Sequence, residues 1–93
     1  MEISQLYNHM AEDKRGNIVV LSVFKDSPAE KAGIQIGDVI LVINETQTWK
    51  HDFKDLLHNH LRGLANTAIK LKVFRPSTKQ IMNMTLTRVP MVY

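Results

Sequence analysis

The sequence predicts a mostly-β domain of the α+β class, a small, partly open antiparallel barrel of about five strands capped by one short and one long helix. Three observations lead there. Short β-branched and apolar runs recur along the 93 residues, each bounded by turn residues. Only two segments carry helix signals, one short and one long. The connections between strands are too short for the crossovers that a parallel sheet needs.

The first strand falls at about residues 2–9, where Ile3, Leu6 and Tyr7 are only partly periodic. Asp13-Lys14-Arg15-Gly16-Asn17 is turn chemistry. It joins that strand antiparallel to residues 18–24, a β-branched and apolar run expected to be buried on both faces. Ser27-Pro28-Ala29-Glu30-Lys31-Ala32-Gly33 reads as a complete short helix. Ser27 caps the free amides, Pro28 suits the first helical position, Glu30 completes a capping box and Gly33 ends the helix.

Gly37-Asp38 makes a second turn before Val39–Ile43, another strand expected to be fully buried, and residues 44–47 turn the chain again. The longer helix is expected over residues 50–62. Trp49, Phe53, Leu56, Leu57, His60 and Leu61 share its apolar stripe, and Gly63 supplies the stop. One edge of that stripe should pack on the barrel and the other should stay open, and spacing alone leaves the assignment of Leu56 and Leu57 undecided. Ile69, Leu71 and Val73 alternate with Lys70 and Lys72, the pattern of a strand with one wet face. Residues 76–79 turn the chain into a partner strand in which Met82, Met84, Leu86 and Arg88 share a side. The whole, 1–93, is one domain, with 89–93 a tail or linker stub.

Composition removes several function classes. The net charge of +3 arises from 12 basic and 9 acidic residues whose signs alternate along the chain. Lys14-Arg15, Lys70/Lys72 and Arg75 are local excesses read as a solvated surface, so no nucleic-acid partner is expected. With no cysteine, disulfide scaffolds, zinc knuckles and thiol nucleophiles are excluded. No apolar run approaches the roughly 20 residues of a membrane span, so direct insertion is not expected. The start of the chain lacks the basic and apolar regions of a signal peptide.

His51 and His58 share a helical face, but His60 lies about 200 degrees from His58, and the spacing fits no zinc pattern. No metal and no cofactor are expected. Ser4, Ser22, Ser27 and Ser77 sit in an edge strand, a buried strand, a helix cap and a turn. None has a nucleophile elbow, so the chain is read as non-catalytic.

The segment SPAEKAGIQIGDVILVIN, residues 27–44 ending in Asn44, resembles the central signature of bacterial PDZ domains. Leu61-Arg62-Gly63, Thr67, residues 70–76 (KLKVFRP) and residues 85–88 (TLTR) are similar to PDZ domains of C-terminal processing (tail-specific, S41-type) serine proteases. The resemblance covers about residues 17–88. It implies the circularly permuted bacterial strand order, in which the strand near the chain start lines a peptide groove. The signature is mainly a folding signature, and none of its residues is expected to touch a ligand.

The resemblance further implies that an extended peptide or protein C-terminus adds as a strand between the first strand and the long helix. Mapped here, the peptide-binding residues are Ile3, Ser4, Gln5, Leu6 and Tyr7 on the strand and Phe53, Leu56, Leu57 and His60 on the helix. The family captures the terminal carboxylate with backbone amides of a Gly-hydrophobic-Gly-hydrophobic loop just before that strand. Here only Met1 and Glu2 precede Ile3, and neither is glycine. Glu2 would repel a carboxylate, so strand addition is expected while carboxylate capture is left open.

The implied host is a protease whose serine and lysine lie outside this chain, in a bacterial periplasm or cell envelope. The alternative is a scaffold or assembly module that binds a partner protein in a secretion or envelope complex without proteolysis.

Overall fold

A computed structural model describes residues 2–7, 15–56 and 66–88. In chain order these form β1 (Glu2–Tyr7), β2 (Arg15–Ser22), α1 (Pro28–Ala32), β3 (Val39–Ile43), β4 (Thr46–Gln47), a 3₁₀ turn (Thr48–Lys50), α2 (Phe53–Asp55), β5 (Ala68–Arg75) and β6 (Gln80–Thr87). All strand pairs are antiparallel, in the order β1-β2-β3-β5-β6, with β4 attached to β3. Among the described residues the main path of the sheet thus ends at β1 on one side and at β6 on the other.

Helix α1 forms as its local chemistry dictates. Ser27 Oγ accepts the Glu30 amide at 3.2 Å. The reciprocal arm lands one residue upstream of the expected place: Glu30 Oε1 accepts the Asp26 amide at 3.0 Å. At the other end Gly33 has φ 94°, and the amides of Gly33 and Ile34 reach back to Glu30 O and Ala29 O. Asp38, expected only to turn the chain, is 1% exposed. Its Oδ1 accepts Arg75 Nε at 2.9 Å, its Oδ2 accepts Arg75 Nη2 at 2.8 Å and the Gln35 amide at 2.9 Å. Arg75 Nη2 also donates to Gly33 O at 2.8 Å. Arg75 is therefore the clasp between the end of α1 and β5, and not part of a solvated basic surface.

Three expectations about the strands change. Arg15, Gly16 and Asn17 belong to β2, because a bulge lets Tyr7 pair with Arg15 and extends the ladder into the expected turn. The turn at 44–47 shrinks to Asn44-Glu45, both at positive φ (47° and 76°), as a two-residue hairpin requires. Thr46 and Gln47 then pair back on β3 and make a sixth strand.

The third change concerns burial. Strands β2 and β3 are each buried on one face, not two. Registers place Gln5, Ile18, Ile40, Val73 and Met82 side by side on the inner face and Ser4, Val19, Val39, Phe74 and Ile81 on the outer one. Ile18, Ile40 and Val73 are fully buried, whereas Leu21 and Ile81 are 51% and 60% exposed. The sheet curls round one core, where Ala29 from α1 and Leu56 following α2 join Ile18, Ile40, Ile43, Ile69 and Leu86. Each fully buried leucine or isoleucine among them stabilises the fold by about 1.5–3 kcal/mol.

The expected long helix of 50–62 begins later than its stripe suggested. Trp49 and Lys50 are in the 3₁₀ turn, and His51 is extended (φ −130°, ψ 150°). Asp52 Oδ1 accepts the Asp55 amide at 2.8 Å, so the helix starts at Phe53 behind an aspartate cap. Residues 57–62 of the expected helix lie outside the described residues. No described helix is long and apolar enough to cross a membrane.

Candidate functional site

Strand β1 is the edge nearest the start of α2. A strand residue turns its N–H and C=O to one side and the next residue turns its own to the other. The Val20 amide donates to Asp38 O and the Gly37 amide donates to Val20 O, both at 2.9 Å, so Val20 faces the β3 side with both groups. Val19 must then face β1, where its register partner is Ser4. Ser4 is consequently held in the ladder, and Ile3 and Gln5 point their backbone donors and acceptors away from β2. No described strand follows on that side.

What seats β1 so firmly is partly a glycine. A Cβ on Gly16 would lie 2.8 Å from Leu6 O and 3.1 Å from Leu6 Cβ, closer than backbone allows. Gly16 is therefore required for close approach at the β1–β2 bulge. The sequence offered a glycine there, but in a context that read as a turn.

A polar cluster lies between β1 and α2. Gln5 Nε2 donates to His51 O at 2.7 Å and comes within 3.3 Å of Gly16 O and 3.5 Å of Thr48 O. Thr48 is fully buried, and its hydroxyl sits 2.7 Å from Ile40 O, 3.1 Å from Leu41 O and 3.0 Å from Asn17 Oδ1. His51 Nδ1 and Asp55 Oδ2 are 2.7 Å apart, four positions from each other in the chain. None of these long-range partners has a spacing that a sequence pattern could reveal. Among the described residues no group of His, Asp or Glu side chains could hold a metal.

The expected site residues divide as follows. Ile3 is half-buried and packs against the core from the inner face. Ser4 faces the outer side, and Leu6, in the bulge between Gln5 and Tyr7, is 43% exposed. Gln5 spends its side chain on the carbonyls just described, leaving its backbone for the open side. Tyr7 pairs through its backbone with Arg15. Phe53 opens α2. Leu56 is 1% exposed and lies in the core, so it is a packing residue and not an open groove residue. Leu57 and His60 lie outside the described residues. The structure thus brings the inner face of β1 next to the beginning of α2.

Comparison with known proteins agrees with this fold. The sequence profile of the PDZ domain matches residues 7–86. A carboxy-terminal processing protease, CtpB of Bacillus subtilis (strain 168), is 40% identical over 76 residues, 78% of this chain and 15% of that protein. A probable periplasmic serine endoprotease DegP-like of Marinomonas sp. (strain MWYL1) is 33% identical over 92 residues, 95% of this chain and 19% of that protein. Among solved structures, the HtrA-type protease AlgW with decapeptide superposes at TM-score 0.72 with 29% identity, covering 96% of this chain and 28% of the other. The photosystem II D1 C-terminal processing protease superposes at TM-score 0.73 with 25% identity, covering 97% and 22%. The chain therefore spans less than a fifth of the length of these two curated relatives.

Proposed function

Because this chain belongs to the PDZ domain family, we propose that it binds an extended peptide as an added strand along β1, beside α2, and serves as the substrate-recognition or regulatory domain of a C-terminal processing protease. The observation that carries the reading is the orientation of β1. Ile3 and Gln5 present N–H and C=O groups at the two-residue repeat with which a strand pairs. A peptide laid there gains main-chain hydrogen bonds, and its alternate side chains turn toward the side of β1 that α2 adjoins. Phe53, Leu57 and His60 are the proposed far wall.

Kinship supports the protease context: CtpB and the DegP-like protein are both proteases by name, and AlgW was solved with a decapeptide. The catalytic residues of such a protease would lie outside residues 1–93, and the periplasmic relative makes the cell envelope the proposed compartment.

The test is a titration of the folded domain with decapeptides ending in apolar residues, made with a free carboxylate and with an amide. Amide signals of Ile3 to Tyr7 and residues 53–60 should shift together. Equal affinity for the two forms would mean that recognition is by strand addition alone. Absence of shifts in both segments would reject the groove.

A further inference from the structure

We infer that Gln5 is the positioning residue of the peptide groove: its carboxamide ties the edge strand to the carbonyl that precedes α2 and thereby sets the groove's width. The inference rests on the strand-addition reading above and adds to it the part of the fold that holds the two walls at a fixed distance.

The geometry is specific. Gln5 lies on β1 with its backbone aimed at the open side, while its side chain turns inward and crosses to His51 O at 2.7 Å, 46 positions along the chain. Gly16 O and Thr48 O stand at 3.3 and 3.5 Å from the same nitrogen. A nitrogen among carbonyl oxygens is favoured and an oxygen is not, so the site selects a donor. The carbonyl end is itself anchored: Thr48 is pinned to β3 through Ile40 O and Leu41 O. His51 is joined to Asp55 within the first turn of α2, and Asp52 caps that helix. One end of the tie is thus the strand that would pair with the ligand. The other is the residue from which the opposite wall departs.

The tie runs through the Gln5 side chain from β1 to the segment ahead of α2. An added strand must sit about 4.8 Å from β1 and leave room for its side chains against the helix. A groove that breathes must be ordered by each ligand at a cost in affinity, and a tied groove need not be. The same tie narrows the set of side chains that fit, so its loss should broaden selection as well as weaken it.

The test compares Gln5→Leu, Gln5→Glu and Gln5→Lys in the folded domain, with an apolar-ended decapeptide as probe and thermal melting as the stability control. Lysine keeps a long donor and should bind within about twofold of the parent. Leucine, which lacks a donor, should bind about five- to tenfold more weakly, and glutamate, which brings negative charge to the carbonyls, weaker still. Differences in affinity should persist among variants that melt alike. Equal peptide affinity for the parent, Gln5→Leu and Gln5→Glu would overturn the inference while leaving strand addition standing.

Should the parent bind no peptide, the proposed function falls, and a ligand-free measurement decides the tie. Proton–proton contacts between residues 3–5 and 48–52 should weaken in Gln5→Leu and return in Gln5→Lys. Contacts unchanged in Gln5→Leu would overturn it.

Discussion

The β1 and β6 ends of the described sheet are built differently. At the β6 edge, eight consecutive residues pair with β5 without a register shift, from Ala68↔Thr87 to Arg75↔Gln80. Helix α1 packs beside this strand, with Pro28, Lys31 and Ala32 forming a depression with Thr85 and Thr87. Its end is fastened by the pair of buried Asp38 and partly exposed Arg75. At the β1 edge the strand is shorter, its register shifts at both ends, and it depends on Gly16 and on the reach of Gln5. One edge is regular and locally capped. The other is irregular and held by side-chain bonds to distant backbone, which is where a guest strand is proposed to enter.

The comparison breaks most sharply at the helix wall. If Leu57 lines the proposed groove, Leu57→Asp should abolish peptide binding in titration, with the folded state checked by thermal melting. Leu56→Ala should instead cost about 2–5 kcal/mol in denaturant unfolding, because Leu56 lies in the core. Reversal of the two outcomes would exchange their roles.

A second prediction pits the edges against each other. The Arg88 amide donates to Thr67 O and its carbonyl accepts the Asn66 amide, so Arg88 and, two residues back, Leu86 face β5, and Asn83 and Thr85 face outward. On adding peptide, hydrogen exchange at the Ile3 and Gln5 amides should slow by at least about tenfold, while Asn83 and Thr85 stay unchanged. Protection at Asn83 and Thr85 instead would move the groove to the α1 side.

Gly16→Ala comes next. The new methyl meets the Leu6 carbonyl, so β1 must shift, at about 1–3 kcal/mol in unfolding experiments. Peptide affinity should fall in parallel, while the β5–β6 amides keep their exchange rates.

The smallest expected effect is that of acid. Burial would raise the Asp38 carboxyl, but the Arg75 hydrogen bonds, the Gln35 amide and the Arg75 charge together hold it below its ordinary 3.8. A carboxyl that binds its proton less readily when folded contributes stability above about pH 4. That contribution is withdrawn as pH falls through the folded-state value. Melting curves between pH 5 and 2 should show the loss, with exchange in α1 and Asp38 rising before that in β1. Asp38→Ala should remove this acid dependence.

The amino-acid order by itself determined the parts whose causes lie within a few residues. The Ser27 cap, the glycine that ends α1, the Asn44 turn and the alternation of Ile69, Leu71 and Val73 with lysines are all legible, because each is closed by neighbours or by a two-residue period. The kinship was legible for the same reason, since its signature is made of caps, turns and core positions. Burial on a single face of β2 and β3, the delayed start of α2, the Asp38–Arg75 clasp and the passage from Gln5 to His51 were decided only in three dimensions. Each joins groups brought together by the curl of the sheet, and a bond across 37 or 46 positions leaves no periodic trace in the chain.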